Sequence, residues 1–439
     1  MKTKLFATLT ATLAATLIGC TPTIDAPNNE DVPTWEPIPV VGVVLVPVST
    51  ILSVGKTLQL KCTIVPAMAT NQAVTWKSDN TFVATVDNNG LVTASGFGTA
   101  TIEVTTDDGN KKATCVVSTF LGDALADGDW YAYQTHSTGP GIDLVFMGDG
   151  YIAIDIESGK YERDMHTAIE GFFGLEPYKS YRNYFNAYIV MAESVVRGVG
   201  TNGTANNTKF GVFHGSGTQM TMGSYTPCFT YTQKAPISNL ENTLTVLVAH
   251  STKWGGTCHW WSSGRAIAIQ PSDYGAPLVL QHLVQHEAGG HGFAKLADEY
   301  IDLVAAAGRN RSDIPEKHKD GWYTNVDITN DKAKVIWKDF IGHPKYPMVG
   351  TYQGGYYFMT GVWRPENSSA MGNTSSTITR PYNAPSRAAI VKRIKQLADE
   401  VFVLEEFINN DAIVSPVETK AFDVDSVLPP LSPPICVVD

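Results

Sequence analysis

The sequence lacks several features that mark common functional classes. After its first twenty residues it has no apolar run long enough to span a bilayer. The 32 Lys and Arg are outnumbered by 43 Asp and Glu, and the resulting net charge of −11 disfavours a nucleic-acid partner. A Walker lysine, a dinucleotide-binding glycine fingerprint and a serine-hydrolase elbow are also missing. What remains is an ordinary globular composition, with 43% hydrophobic residues in 439, enough for two or three domains.

The N-terminus has the pattern of an export signal. A short basic start precedes an apolar run from Leu5 to Ile18, and Gly19 and Cys20 follow it. The run is too short to be a good transmembrane span, and a cysteine directly after a small residue resembles a bacterial lipobox. We predict a lipoprotein signal peptide at residues 1–19 and lipidation of Cys20. The protein would then be exported and membrane-anchored, either in the periplasm or at the cell surface, unless the cysteine is incidental.

Export makes disulfides possible for the five cysteines that follow Cys20. Their number is odd, and spacing alone leaves the connectivity open. Two pairings suit the regional grouping of the cysteines, Cys62 with Cys115 and Cys228 with Cys258. Cys436 would remain unpaired.

Residues 40–120 have the pattern of a small β-sandwich. A tether rich in Pro, Asn and Asp, residues 20–39, precedes them. Short alternating segments are separated by turn signals such as Asp87-Asn88-Asn89-Gly90. The stretch "AVTWKSDNTFVATVDNNGLVTASGFGTATIEVTT" resembles the group 2 bacterial immunoglobulin-like domain. That resemblance implies a spacer or adhesion module, so Trp76 is interpreted as core packing.

The rest of the chain reads as one α/β domain of catalytic size. Residues 121–140 are interpreted as a linker, residues 141–408 as the domain, and residues 409–439 as an extended C-terminal tail over the surface. Strand-like and helix-like segments alternate through the domain. The last predicted helix runs from Ser386 to Phe407, because its apolar residues recur at helical spacing.

The stretch "LQHLVQHEAGGHGFAKLADEY" carries the strongest chemical signal. Zinc proteases use H-E-x-x-H, in which two histidines four residues apart share a helix face and bind one Zn²⁺. Here His286-Glu287 is followed by His291, one residue too late for a regular helix. A π-bulge at Gly289-Gly290 would restore the shared face. His282 and His286 are a second possible pair, with regular spacing but with the glutamate misplaced.

A third ligand and further catalytic groups are expected just downstream. Asp298 is the preferred third ligand because a carboxylate oxygen suits zinc, and Glu299 is the alternative. Glu287 would act as the general base on the zinc-activated water. Tyr300 could stabilise the oxyanion, although an aromatic residue there could equally be core.

Several motifs in the same order resemble the IgA-peptidase family of bacterial zinc metallopeptidases. They are "GIDLVFMGDGY", "GKYERDM", "FFGLEPYKSYRNYFNAYIV", "HEAGGHGFAKLADEY" and "WRPENSSAMGNTS", spanning Gly141–Ile394. The resemblance implies a zinc endopeptidase with His286 and His291 as ligands and Glu287 as the catalytic glutamate. Met371 in "SSAMGN" is interpreted as a methionine turn beneath the metal, as in metzincin-like sites, with a buried loop methionine as the alternative. The extra residue between the histidines departs from the family pattern.

The predicted fold class is therefore multidomain, with a small all-β immunoglobulin-like sandwich followed by an α/β, zincin-like metallopeptidase domain. The predicted function is hydrolysis of peptide bonds in extracellular proteins or peptides with Zn²⁺ as cofactor. Contact with the membrane would be through the lipid anchor only. The alternative is a non-catalytic surface adhesin, or a glycan-binding or protein-binding lipoprotein, on a degenerate peptidase scaffold.

Overall fold

The computed structural model describes residues 36–81, 83–96, 98–120, 125–273, 277–372, 380–413 and 428–437. The predicted signal peptide, Cys20 and most of the predicted tether lie outside these ranges. Within them, none of the helices combines the length and the apolar character that crossing a membrane requires.

The N-terminal region is all-β and is built from three small sheets. Their orders are β1-β4, β2-β9-β8-β5 and β3-β7-β6. The strands are β1 (Gly42–Val46), β2 (Ser49–Ser53), β3 (Thr57–Gln59), β4 (Lys61–Val65), β5 (Val74–Ser78), β6 (Ala84–Val86), β7 (Leu91–Ala94), β8 (Gly98–Thr106) and β9 (Lys112–Phe120).

Alternation along these strands produces one buried face. In β8 every second residue from Ala100 to Thr106 is buried, as expected for a strand with one face on the core. Trp76 packs against this core, as predicted. Its ring lies so close to Gly90, at φ +80°, that a Cβ there would approach Trp76 Cζ2 to 2.6 Å. The tight turn and the close ring explain the glycine.

The α/β domain is organised around a seven-stranded mixed sheet of order β10-β12-β11-β15-β17-β16-β20. β11, β12, β15 and β17 are mutually parallel, β10 is antiparallel to β12, and β16 is antiparallel to β17 but parallel to β20. The strands of the domain are β10 (Trp130–Gln134), β11 (Ile142–Asp149), β12 (Phe185–Val190), β13 (Val212–His214), β14 (Met220–Met222), β15 (Leu244–Ala249), β16 (Thr257–Trp261), β17 (Ala266–Pro271), β18 (Tyr352–Gly355), β19 (Phe358–Arg364) and β20 (Ile435–Val437).

Both faces of this sheet are covered. Leu144 and Phe146 of β11 belong to one core, whereas Val145 and Met147 belong to the core on the opposite face. All eight residues of β11 are buried, as expected when a sheet is packed on both sides.

The helices that position the site pack on the first of these faces. Phe172, Leu280 and Phe293, from three different helical segments, share its core. The helices are α1 (Ala153–Glu157), α2 (Lys160–Phe172), α3 (Thr226–Thr232), α4 (Pro277–Leu283), a π-helix (Val284–Phe293), α5 (Leu303–Ala306), α6 (Asp313–Lys319), α7 (Ala384–Leu397) and α8 (Leu404–Asn410), with 3₁₀ turns at Arg182–Tyr184, Leu240–Asn242 and Lys338–Phe340.

Three sequence predictions about segments need correction. β10 lies in the predicted linker but is hydrogen-bonded into the large sheet. The helix predicted from Ser386 to Phe407 is two helices, α7 and α8, because the chain turns at Asp399 with φ +56°. The tail predicted to run over the surface instead ends in β20, which pairs with β16, and it buries Leu431.

The two suggested disulfides are absent, since all five described cysteines are free thiols. Cys228 and Cys258 belong to the cores on opposite faces of the large sheet, so the sheet separates them. Cys62 is opposite Leu45 in the β1-β4 sheet, whereas Cys115 is opposite Ile102 in a different sheet.

Candidate metal centre

The two five-spaced histidines lie on a π-helix. α4 continues directly into it, and the wider i→i+5 turn brings His286 and His291 to one face. Their ring centroids are 4.8 Å apart. The predicted π distortion is therefore confirmed, and it extends over ten residues rather than one bulge.

Close packing explains the glycine pair inside this helix. A Cβ at Gly290 would lie 2.1 Å from Met371 Sδ, and one at Gly289 would lie 2.5 Å from Tyr382 Oη. Neither position has room for a side chain. The pair thus has a structural purpose, which was not evident from the sequence.

Two tyrosines stabilise the π-helix by hydrogen bonds to its backbone. Tyr178 Oη donates to the carbonyl of Gly289 at 2.6 Å, and Tyr382 Oη donates to the carbonyl of Gln285. Both rings are fully buried. Because buried carbonyls need partners, these hydroxyls help to hold a helical form that is otherwise rare.

Asp298 completes a buried group of three potential ligands. His286 Nε2 lies 2.9 Å from Asp298 Oδ1. His291 Nε2 lies 3.2 Å from the same oxygen but has no hydrogen-bond geometry to it. One ligand atom from each of the three residues lies within 4.8 Å of the others, and all three side chains are at most 1% exposed.

The backbone fixes the protonation of both rings. His286 Nδ1 is 2.9 Å from the carbonyl of Ala370, and His291 Nδ1 is 2.8 Å from the carbonyl of Leu296. A carbonyl only accepts, so each Nδ1 must carry the donated proton. In the neutral rings both Nε2 lone pairs then face the carboxylate oxygen. Such an arrangement requires positive charge between these atoms. Metal-binding histidines typically donate their other ring N–H to a backbone carbonyl in this way. The residues fit a metal ion.

The pKa shifts of His286 and Asp298 also indicate that the site favours positive charge. Burial alone would lower the pKa of His286, yet the hydrogen bond and charge of Asp298 raise it to about 9. Burial would raise the pKa of Asp298, but the two histidines hold it well below its usual range. A proton on one of the histidines, like a bound cation, would supply this positive charge.

Asp298 and Glu299 have different surroundings, although they are adjacent. Glu299 Oε1 accepts from Asn325 and Asn383 at 2.8 and 2.7 Å, and Glu299 Oε2 accepts from Ser369 at 2.7 Å. Its carboxylate is thus committed to a network that ties three loops together. Of the two candidates for third ligand, the structure brings Asp298 to the histidines.

Glu287 is buried beside the histidines, and neither of its carboxylate oxygens has a hydrogen-bond partner in the described part of the chain. Burial raises its pKa to about 7, against the lowering effect of the charges on His291 and His286. A Cβ on Gly256 would be 3.0 Å from Glu287 Oε1, so the strand entry before β16 faces this carboxylate. A buried carboxylate without partners is costly for stability alone.

Tyr300 and Met371 border the group from different sides. The Tyr300 ring stacks near His286, with centroids 6.4 Å apart, and its hydroxyl donates to the carbonyl of Leu431 at 2.6 Å. Met371 is fully buried and packs against the π-helix at Gly290, as a methionine beneath the site would. His282, the alternative partner of His286, is outside the ligand group.

Sequence reasoning missed two residues near the site. Tyr357 Oη donates to Asp298 Oδ2, which orients the carboxylate. Tyr357 has φ +72°, a rare value for a tyrosine, and no sequence pattern indicates it. Lys295 makes the turn after the π-helix at φ +55°, and its Nζ donates to the carbonyl of Gly292 at 2.8 Å. Burial lowers the pKa of Lys295 to about 7.

Fold and site together define a protein with an all-β region and an α/β domain that carries a buried group of three potential metal ligands. Residues 39–117 match the model of the bacterial Ig-like domain (group 2), and residues 132–347 match that of the IgA Peptidase M64 family. The chain thus carries a group 2 bacterial Ig-like domain followed by a peptidase domain of the IgA Peptidase M64 family. The resemblance predicted from the motifs is confirmed, and three of the five residues of β10 lie inside the matched range.

Similar individual proteins share the Ig-like part. An uncharacterised protein of Clostridium acetobutylicum is 44% identical over 68 residues, which cover 15% of this chain and 7% of that protein. An Ig-like virion protein of Serratia phage KSP90 is 39% identical over 82 residues, covering 18% of this chain and 32% of that protein. The chain therefore spans a third or less of these relatives.

Two solved structures show limited similarity. Domains 4 and 5 of the S-layer protein SbsC are 21% identical, with 19% of this chain and 53% of that chain covered and a TM-score of 0.17. A GH10 xylanase from termite gut that contains a bacterial Ig-like domain is 20% identical, with 23% and 25% covered and a TM-score of 0.14.

Proposed function

We propose that the protein is a zinc metalloendopeptidase that cleaves extracellular proteins or peptides. The observation that carries the proposal is the convergence of His286 Nε2, His291 Nε2 and an oxygen of Asp298 in a buried site. Two imidazoles and a carboxylate are a ligand set of catalytic zinc sites, which leave one position for water or substrate. The peptidase family of residues 132–347 supports the same chemistry.

The residues of the site would have separate roles in peptide hydrolysis. When bound, zinc supplies a Lewis acid that activates water for attack on the peptide carbonyl. Glu287 takes the proton of that water, because its carboxylate is adjacent to the ligands and otherwise without partners. Glu287 then gives the proton to the leaving amine nitrogen. The Tyr300 hydroxyl donates to the carbonyl oxygen as negative charge develops on it.

Metal analysis of the purified protein tests the proposal. We expect about one zinc per chain, lost in His286→Ala and His291→Ala. His282→Ala is the matched control, since it removes a histidine one turn away, outside the ligand group. Zinc that is lost in His282→Ala but kept in His291→Ala would move the site by one turn. A protein that binds no zinc and cleaves no peptide would contradict the proposal and favour the alternative of a binding protein.

The proposed location is outside the cytoplasm, with Cys20 lipidated and the Ig-like domain as a spacer between membrane and peptidase domain. The lipobox-like N-terminus and the Ig-like match at residues 39–117 support it. In a bacterial host, Cys20→Ser should release the protein from the membrane fraction without changing its peptidase activity. Retention of that variant in the membrane would count against lipid anchoring.

A further inference from the structure

The C-terminal segment, residues 428–437, lies beside the proposed catalytic site and includes a short strand. Its last residues form β20, which pairs in parallel with β16, with Ile435 opposite His259 and Val437 opposite Trp261. β16 immediately follows Gly256, the residue that faces Glu287. Without the segment, β16 would be an edge strand of the sheet beside the site. An exposed strand edge of this kind binds an extended peptide by backbone hydrogen bonds.

The segment is bound mainly through its own backbone carbonyls. Four of these carbonyls accept hydrogen bonds from side chains of the α/β domain. The bonds are Trp254 Nε1 to Pro429 at 2.9 Å, Thr218 Oγ1 to Pro430 at 2.9 Å, Tyr300 Oη to Leu431 at 2.6 Å and Arg309 Nη2 to Pro434 at 3.0 Å. Recognition of the backbone is what a site needs in order to bind peptides of different sequence.

The bond from Tyr300 is the most informative of these contacts. Tyr300 is the residue proposed to stabilise the oxyanion of a substrate carbonyl, and its hydroxyl is occupied by the carbonyl of Leu431. Leu431 is also next to the catalytic carboxylate. A single Cβ placed on Gly256 would touch both Glu287 Oε1, at 3.0 Å, and Leu431 Cδ2, at 3.4 Å. Leu431 thus lies where the residue before a cleaved bond would lie.

The side chain of Leu431 fills an apolar pocket. It is 3% exposed and packs in a small cluster with Trp254, Val279 and Leu283, the last two from the helix that leads into the histidines. Burying a leucine side chain in such a pocket stabilises binding by the hydrophobic effect. The pocket would therefore select a leucine-sized apolar side chain in a substrate.

The composition of the segment suits a ligand that resists cleavage. Four of the ten residues in "LPPLSPPICV" are proline, two on each side of Leu431-Ser432. Proline fixes the backbone in an extended form before binding, which lowers the entropy lost on binding. It also removes the N–H groups that a bound substrate would offer on either side of the central bond.

We propose that Leu428–Val437 occupies the substrate groove as an internal peptide ligand, which restrains the peptidase and marks its Leu431 pocket as the subsite for an apolar side chain. This inference rests on the proposed peptidase function for its inhibitory consequence. The ligand class is an extended peptide with a leucine-sized residue at the centre. Displacement of the segment exposes the groove, Tyr300 and the pocket together.

The test compares point variants in the full chain. Leu431→Asp introduces charge into the apolar pocket and should release the segment, raising kcat/KM for a leucine-containing fluorogenic peptide about tenfold or more. Val401→Asp is the matched control, since it adds the same charge in place of an exposed apolar side chain outside the segment and the site, and it should stay within about threefold of wild type. Leu431→Ala replaces the aspartate variant if thermal unfolding shows that the latter does not fold.

A labelled synthetic peptide of residues 428–437 provides a readout that does not depend on activity. It should bind the Leu431 variant, with fluorescence anisotropy as the signal, and should bind wild type at least tenfold more weakly because the groove is occupied. Unlabelled peptide should inhibit the variant competitively. Equal peptidase activity in folded wild type and variant would overturn the inference while leaving the peptidase function standing. Peptide binding by the variant without any hydrolysis would support groove occupancy while the proposed peptidase function fails. Absence of both would overturn the inference.

Discussion

The Ig-like region and the α/β domain bury their strands in different ways. In β8 of the Ig-like region buried and part-buried residues alternate, whereas β11 of the α/β domain is buried along its whole length. A sheet with one solvent-facing side needs only half its residues to be apolar, but a sheet covered on both sides needs nearly all. The second arrangement leaves an interior where polar groups are far from water.

The same two regions differ in the polar groups that they bury. The described Ig-like residues bury only two polar side chains, Thr106 and Thr119, and none that is charged. The α/β domain buries Glu287, Asp298 and Glu299 within thirteen residues, together with several other carboxylates. Buried charge is costly unless it is paired or holds an ion. The comparison therefore favours the α/β domain as the location of the chemistry.

The largest effect is expected at Glu287, the proposed general base, whose carboxylate has no hydrogen-bond partner among the described residues. Glu287→Gln keeps the shape of the side chain but cannot take a proton, so we expect kcat/KM for a peptide to fall about a thousandfold. Zinc content should stay at wild-type level. Glu103→Gln, on β8, is the control from the other region, because its carboxylate pairs with Lys112 at the surface. Its activity should match wild type. Undiminished turnover in Glu287→Gln would remove Glu287 from the mechanism.

The next largest effect should distinguish the roles of the adjacent carboxylates of Asp298 and Glu299. Asp298→Ala removes a ligand, and we expect zinc affinity, measured by competition with a chelator, to fall at least about a hundredfold. Glu299→Gln should keep its zinc and instead lose about 1–2 kcal/mol of unfolding free energy, because one oxygen of the network becomes a donor facing Ser369. The reverse pattern would make Glu299 the ligand.

The elements of the fold that depend on local pattern were predictable from the sequence. Alternation and turn signals located the Ig-like strands, and β11, β12 and β15 lie on apolar runs of the chain. Elements that depend on distant partners were not. β10 is a five-residue strand between turn-rich segments, and β20 is only three residues long, so tertiary pairing decides both. The break between α7 and α8 was hidden because an apolar stripe continues across Asp399.

The site was predictable as far as residue chemistry and spacing carry information. The five-residue spacing of His286 and His291 required a π distortion, and the structure contains one. The preference for Asp298 over Glu299 was reached without geometry, whereas the structure separates them by the partners of Glu299. Tyr357 comes from a hairpin far along the chain, where single-sequence patterns give no distance information.

A smaller effect is expected at the residue that orients the ligand. Tyr357→Phe removes the hydroxyl that donates to Asp298. We expect zinc affinity to fall about tenfold, because residues that hydrogen-bond to a metal ligand contribute on this scale. Tyr356→Phe is the matched control. Its hydroxyl donates to Asp313 at 3.2 Å, away from the ligands. Equal zinc affinity in the two variants would show that Tyr357 has a packing role only.

The smallest effect on zinc content and activity is expected from a destabilising change in the Ig-like core. Ile102→Ala removes a fully buried side chain of β8 and should cost about 2–5 kcal/mol of that region's stability. Zinc content and kcat/KM should nevertheless stay within about twofold of wild type below the unfolding temperature. The reason is that the two regions meet across an open cleft of about 590 Å³, lined by Thr119 on one side and Arg163 and Glu170 on the other.

Ile267→Ala is the matched change in the α/β domain, where the side chain is also fully buried in the large sheet. It should lower the unfolding temperature of the domain that holds the zinc, and zinc should be lost in the same transition. The two variants therefore have similar chemistry and different expected readouts. Loss of kcat/KM in Ile102→Ala, with zinc intact, would mean that the Ig-like region helps to position the peptidase domain or its substrate across the cleft.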